Sequence, residues 1–97
     1  MHSGADLAFV VDDGVPAPDV EATAAEAAGE MLVSLTLFDV YRDTRLGAGR
    51  RSLAWRLRLQ ATDHTLTDAA VRSRAIAAVR SRAIAAVEER HGAVRRG

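Results

Sequence analysis

The sequence predicts an α+β domain in which a four-stranded antiparallel sheet carries two helices on one face and leaves the other face open. Two segments alternate apolar and polar residues with a period of two, and two alanine-rich segments have helical spacing. Together with a short strand at each end, these segments follow one another in the order β-α-β-β-α-β. A chain of 97 residues matches the size of one domain, so residues 1–97 are predicted to form a single domain.

The first strand and helix are marked by their composition and their ends. Asp6–Val11 is rich in β-branched and aromatic residues, and Asp12–Gly14 closes it with a turn. Pro18 suits the first turn of a helix, because that turn does not need its N–H group. Gly29 is predicted to end the helix.

The two central strands, Met31–Tyr41 and Arg51–Gln60, have the clearest alternation, and a glycine-containing hairpin loop over residues 43–50 joins them. Strict alternation predicts that one set of side chains faces the helices: Thr36, Phe38, Val40, Leu53, Trp55, Leu57 and Leu59. The other set is predicted to point to the open face: Leu37, Asp39, Tyr41, Ser52, Ala54, Arg56 and Arg58. Phe38 and Trp55 are therefore interpreted as packing residues.

The last third is predicted to be a helix from Thr67, its N-cap, to about Arg90, followed by a short strand over Ala93–Arg95. The complete order is that of the split βαβ arrangement of ferredoxin-like folds.

A perfect eight-residue repeat lies inside this last helix, Val71–Ala78 followed by Val79–Ala86. Eight residues turn a helix by about 800°, so the second copy is rotated by roughly 80° from the first and the two cannot present the same face to the core. Ile76, Val79, Ala83 and Val87 form the predicted core stripe. We therefore expect the C-terminal half of the helix to dock, and residues 68–74 to overhang, kink or fray.

Charge and composition narrow the classes of function. Residues 1–41 hold eight acids and no arginine or lysine, whereas residues 42–97 hold thirteen arginines and five acids. This division favours a basic surface able to meet phosphate, with a solvated mixed surface as the alternative. Cysteine is absent, the three histidines are scattered, and no apolar run is long enough to span a bilayer. No metal site, membrane association or disulfide is expected, and a cytoplasmic location fits.

The predicted open face combines an aromatic ring, a carboxylate and two arginines. Such faces are known RNA platforms, because bases stack on rings and guanidinium groups meet phosphates. The candidate RNA-binding residues are Asp39, Tyr41, Ser52, Arg56 and Arg58.

Several motifs in order resemble one family. Leu37–Tyr41, which reads LFDVY, is followed after the loop by Gly49–Leu57, GRRSLAWRL, and the chain also carries Thr65-Leu-Thr67 and Glu89–Ala93. These segments resemble the C-terminal anticodon-binding domain of the bacterial phenylalanyl-tRNA synthetase β subunit over nearly the whole chain.

The resemblance implies that the chain holds the anticodon stem-loop of phenylalanine tRNA. It implies that Asp39 and Tyr41 engage the first anticodon base, by hydrogen bond and by stacking. It also implies that synthetase subunits are possible partners. ATP and Mg²⁺ would serve the full synthetase, whereas no cofactor and no catalytic residue is expected in this chain.

Two other classes of function stay open. The chain is alternatively a stand-alone protein-interaction or dimerisation module of the same fold, or a decayed fragment without tRNA function. A free-standing enzyme is the least favoured interpretation, since the sequence shows no nucleophile–base pair, phosphate loop or metal cluster.

Overall fold

A computed structural model of the chain describes residues 3–60 and 68–96. Its strands and helices are β1 (Ser3–Asp12), α1 (Ala17–Ala28), β2 (Leu32–Tyr41), β3 (Arg50–Leu59), α2 (Ala69–His91) and β4 (Val94–Arg95). One-turn 3₁₀ helices follow α1, at Gly29–Met31, and β2, at Thr44–Leu46. The strands form one sheet in the order β2-β3-β1-β4, with every neighbouring pair antiparallel. The predicted β-α-β-β-α-β fold is confirmed.

The hydrophobic core lies between the sheet and the two helices. Strand β3 contributes alternate residues that are at most 2% exposed, from Leu53 to Leu59. Trp55 stands at the centre of this row, and its indole N–H donates a 2.9 Å hydrogen bond to Glu21 of α1. The prediction that Trp55 packs in the core is therefore confirmed, and its polar atom ties the sheet to the first helix.

Glycine ends both helices, as predicted for Gly29. Gly29 has a φ of 67° and Gly92 a φ of 62°. Residues other than glycine rarely adopt a positive φ, because their Cβ atom crowds the backbone.

Helix α2 is one continuous helix of 23 residues, but only its second half enters the core. Its buried residues are Val79, Ala83, Ile84 and Val87, with Ile76 partly buried against them. Val71, in the first copy of the repeat, is 39% exposed. The exposed first copy agrees with the expected overhang, and α2 passes through it as one unbroken helix.

The N-cap of α2 differs from the prediction. Asp68 caps the helix, and its Oδ1 accepts hydrogen bonds from the N–H groups of Ala70 at 2.8 Å and Val71 at 3.2 Å. The predicted cap, Thr67, lies outside the described residues. Aspartate caps a helix well because its carboxylate both accepts from the free N–H groups and favours the positive end of the helix dipole.

Candidate nucleic-acid interface

The open face of the sheet is arranged in cross-strand rows. Residues paired across antiparallel strands point to the same face, so the strand registers define each row. From the β4 end of the face to the other end, the rows are Tyr41–Ser52–Val10–Val94, Asp39–Ala54–Ala8, Thr36–Arg56–Asp6 and Ser34–Arg58–Gly4. Asp39, Tyr41, Ser52, Arg56 and Arg58, the five predicted site residues, all belong to these rows.

A β-bulge at Phe38 corrects the predicted alternation in β2. Leu37 pairs with Trp55 on the core face, whereas Asp39 pairs with Ala54 on the open face, so Phe38 is the extra residue between them. Leu37 is therefore partly buried against the core and does not point to the open face. The bulge shifts the phase of the strand by one residue, and this shift is why Asp39 and Tyr41 still lie on the open face.

Phe38 was wrongly predicted to be a core residue. It is 48% exposed, and the guanidinium carbon of Arg56, an open-face residue, lies 5.0 Å from the centroid of its ring. Val40 was likewise expected to hold the sheet to the helices. It pairs with core residue Leu53 but is 52% exposed, because β2 is the edge strand and none of the described residues covers it there.

Tyr41 is fixed by contacts at both ends of its side chain. Its hydroxyl donates a 2.7 Å hydrogen bond to Oδ2 of Asp43, and the guanidinium carbon of Arg96 lies 4.9 Å from the ring centroid. Asp43 also accepts hydrogen bonds from the side chain and backbone of Arg45. The Arg45 side chain, then its backbone N–H and then the Tyr41 hydroxyl hold the pKa of Asp43 well below its usual range. One face of the Tyr41 ring therefore carries a guanidinium group.

Ser52 lies in the same row as Tyr41 but is almost completely buried. It is 3% exposed, and its row neighbour Val10 is 8% exposed, although both lie on the open face. Arg96 follows β4, on the opposite side of the sheet from β2, so its contact with Tyr41 crosses β1 and β3. Ser52 is therefore the least accessible of the five predicted site residues, and its contact with RNA stays a prediction.

Asp39 has the opposite environment. Its side chain is exposed, and no hydrogen bond or ion pair joins it to another residue within 3–60 and 68–96. Its row continues into Ala54 and Ala8, whose side chains are single methyl groups. The row therefore forms a low floor with the Asp39 carboxylate at one end and Arg96, whose backbone N–H donates to the Ala8 carbonyl at 2.8 Å, at the other.

The two predicted arginines of β3 differ in their pairing. Arg56 donates to Asp6 at 3.2 Å while it stacks on Phe38. Arg58 is exposed and lies opposite Gly4, which offers no side chain, and within the described ranges it has no ion pair. Arg58 is thus the more available of the two for a phosphate.

Several acids of the acidic first part form ion pairs with arginines of the second part. The register places Asp12 opposite Arg50 and Asp6 opposite Arg56, and both pairs form ion pairs. Asp13 likewise pairs with Arg42. The expected broad basic surface is therefore reduced, on the open face, to a few cations beside Asp6 and Asp39.

Sequence reasoning missed Phe38 and Arg96. A bulge leaves no glycine or proline signal at Phe38, so period-two alternation could not reveal it. Arg96 could have been found, because it stands two residues after Val94 and so returns to the same face of the sheet.

Within residues 3–60 and 68–96, histidine, aspartate and glutamate side chains form no group of three that could hold a metal ion. His2 and His64 lie outside these ranges. The helices in the same ranges include none that is long and apolar enough to cross a membrane.

The sheet order, the helices on one face and the rows on the other define a ferredoxin-like α+β domain with an open sheet face. The chain belongs to the family of the ferredoxin-fold anticodon binding domain, whose model matches residues 2–96. The resemblance recognised in its motifs is confirmed.

Similar proteins carry this domain as a small part of a longer chain. The phenylalanine–tRNA ligase β subunit of Thermobifida fusca is 50% identical over 95% of this chain and 10% of its own length. That of Corynebacterium efficiens is 45% identical over 95% of this chain and 10% of its own length. That of Streptomyces avermitilis is 58% identical over 64% of this chain and 7% of its own length. The chain spans about a tenth of the length of these relatives.

Proposed function

We propose that the chain binds the anticodon stem-loop of phenylalanine tRNA through its open sheet face, as part of a phenylalanine–tRNA ligase. The observation that carries the proposal is the exposed, unpaired Asp39 carboxylate at the end of the Ala54–Ala8 floor, one row from the Tyr41 ring. A carboxylate, an aromatic ring and a flat floor between them suit one unpaired base.

Asp39 gives this position its chemical selectivity. An ionised carboxylate only accepts hydrogen bonds. The Watson–Crick edge of guanine presents two neighbouring N–H donors, and the other three bases place an acceptor within the corresponding pair of positions. The Asp39 carboxylate therefore prefers guanine, as expected for the first anticodon base.

Tyr41 supplies the stacking surface. Its hydroxyl bond to Asp43 fixes the ring before RNA arrives, so little rotamer freedom is lost on binding. Arg96 covers one face of the ring. A base stacks on the other face, or on the first once the Arg96 side chain moves aside to a phosphate.

Arg58 and Arg96 are the cations placed to meet the RNA backbone, with Arg56 partly neutralised by Asp6. Binding then depends on salt, because each phosphate contact releases condensed counterions.

The wider role follows from the relatives' names. As part of a phenylalanine–tRNA ligase, the domain positions the tRNA while other parts of the enzyme, using ATP and Mg²⁺, attach the amino acid. The domain would then be located in the cytoplasm, where translation occurs. Its partners would include other synthetase segments.

The Asp39→Asn variant tests the proposal, because specific and non-specific binding predict opposite signs. Removing a negative charge from the face strengthens non-specific attraction to phosphate. If Asp39 recognises guanine, the same change weakens binding to phenylalanine tRNA by about 10- to 150-fold, the worth of a charge-assisted hydrogen bond of roughly 1.5–3 kcal/mol.

Labelled phenylalanine tRNA and an unrelated tRNA are titrated at two salt concentrations. Glu26→Gln, which removes one exposed acid from the helix side of the domain, is the matched control and leaves both affinities unchanged. Equal affinity for the two tRNAs, or tighter binding by Asp39→Asn, contradicts the proposal.

The exposed edge of β2 supports one other function, self-association. Val33 and Val40 are 48% and 52% exposed on this edge strand, and unpaired edges accept further strands. Light scattering that shows a stable dimer indifferent to RNA favours this second function.

A further inference from the structure

We infer that Phe38 and Arg56 form a second base-stacking position, which takes an unpaired base next to the one held at Asp39 and Tyr41. The inference rests on the proposed function, and it adds a second contact to a different nucleotide of the loop. It assigns to Phe38 a role in binding RNA, where alternation in the sequence assigned it to the core.

The bulge is the first observation. Without the bulge, Phe38 would pair with Ala54 of β3, the residue that instead pairs with Asp39. With it, Leu37 and Asp39 pair with successive residues of β3, and the phenyl ring is turned out beside the open-face Arg56. An aromatic ring left 48% exposed forgoes much of the stabilisation that burial of a phenylalanine contributes.

The second observation is the ring's partner. The guanidinium carbon of Arg56 lies 5.0 Å from the Phe38 centroid, and Asp6 holds the same guanidinium from the other side at 3.2 Å. The Arg56 guanidinium and the Phe38 ring therefore provide two flat surfaces on which a base can stack. Nucleobases bind flat surfaces of both kinds, in a way that tolerates any base.

Spacing shows why this position takes a separate base. Phe38 and Tyr41 are three residues apart in β2, which separates their Cα atoms by about 10 Å. Adjacent stacked bases are about 3.4 Å apart, so one base cannot lie directly on both rings. The Asp39 row lies between the two rings. The two rings thus hold two splayed bases on either side of the Ala54 floor.

The test combines affinity with a local probe. A short synthetic hairpin with the anticodon loop of phenylalanine tRNA carries the fluorescent base 2-aminopurine at one loop position at a time. Stacking quenches this base. In the unaltered protein, quenching is expected at two loop positions; Phe38→Ala abolishes it at one and Tyr41→Ala at the other.

Affinity supplies the second readout. Phe38→Ala weakens binding of the unlabelled hairpin by about 5- to 150-fold, the range for loss of one base–aromatic stack. Phe38→Tyr retains the affinity, because it keeps the ring. Since a stack releases no counterions, Phe38→Ala leaves the salt dependence of binding unchanged.

Val33→Ala is the matched control, because Val33 lies on the same edge strand, next to its other register shift, and is also 48% exposed. If Phe38→Ala binds like Val33→Ala while Asp39→Asn and Tyr41→Ala bind weakly, the second position is wrong and the proposed function stands. If both ring variants lose quenching at the same loop position, there is one stacking position and the inference fails. If none of the variants changes affinity for the hairpin, both the inference and the proposed function fail.

Discussion

The two copies of the repeat offer a comparison in which the local sequence is held constant. Val71 and Val79 are each followed by the same seven residues, yet Val71 is 39% exposed and Val79 is 5% exposed. Replacing each valine with alanine, in separate variants, therefore measures how much each copy packs in the core. Because the seven following residues are identical, a difference between the two variants reflects tertiary contacts together with the position of each valine in the helix.

The expected magnitudes follow from burial and helix propensity. Val79→Ala removes two methyl groups from the core, at about 0.8 kcal/mol each, plus a term for the cavity. Alanine regains about 0.5 kcal/mol as the better helix former. The net loss is about 1–2 kcal/mol. For Val71→Ala the smaller burial term and the propensity gain nearly cancel, so the net change is about zero.

Urea unfolding followed by circular dichroism measures both variants. With a slope of about 1–1.5 kcal/mol per molar for a domain of this size, Val79→Ala lowers the midpoint by about 1 M and Val71→Ala leaves it in place. Equal losses in the two variants would mean that the first copy docks as the second does, and the overhang would be refuted. Amide exchange gives an independent check, since residues 69–74 should exchange much faster than residues 79–90.

Two further predictions concern charge. Asp43 stays ionised at about pH 3, where an unperturbed aspartate with a pKa of about 3.9 is mostly protonated, because Arg45 and Tyr41 stabilise its charged form. Because this pKa is lower in the folded protein, the contribution to stability is present above the ordinary aspartate pKa and is lost only as the pH falls further. A carboxyl-carbon NMR titration checks it, and an ordinary titration curve would contradict the contacts at Asp43. For RNA binding, Arg58→Gln lowers the slope of log affinity against log salt by about 1, whereas Arg56→Gln lowers it less, because Asp6 already neutralises that guanidinium; equal slopes would refute the difference in pairing.

The sequence was sufficient for the order of the elements because each carries a strong local signal. The alternation in β3 predicts the burial of Leu53, Trp55 and Leu57, which are buried in the structure. Gly29, with its positive φ, ends α1. The rotation of about 80° between the two copies of the repeat follows from helical geometry. The overhang of α2 could therefore be predicted as well.

The open face was harder to predict because its details depend on contacts between distant strands. Alternation placed Leu37 on the wrong face. The bulge at Phe38 then shifts the strand by one residue, so the same alternation placed Asp39 and Tyr41 on the correct face. The contact of Arg96 with the Tyr41 ring joins the two edges of the sheet, and no local pattern encodes it.

The surface charge illustrates the same limit. Composition correctly separates an acidic first part from an arginine-rich second part, but only the register between β1 and β3 reveals that Asp6 and Asp12 lie opposite Arg56 and Arg50. A net charge counted along the sequence therefore overstated the basic surface. Of the predicted arginines, Arg58 is the one that this pairing leaves available.

The most direct test of the open face as the RNA-binding surface is an amide NMR titration of the isotopically labelled protein with the anticodon hairpin of phenylalanine tRNA. Binding through this face shifts the amide signals of Asp39, Tyr41, Ala54 and Arg56 and leaves those of the exposed side of α1 unmoved. Shifts confined to the helices, or no shifts at concentrations where the unaltered hairpin should bind, would contradict it.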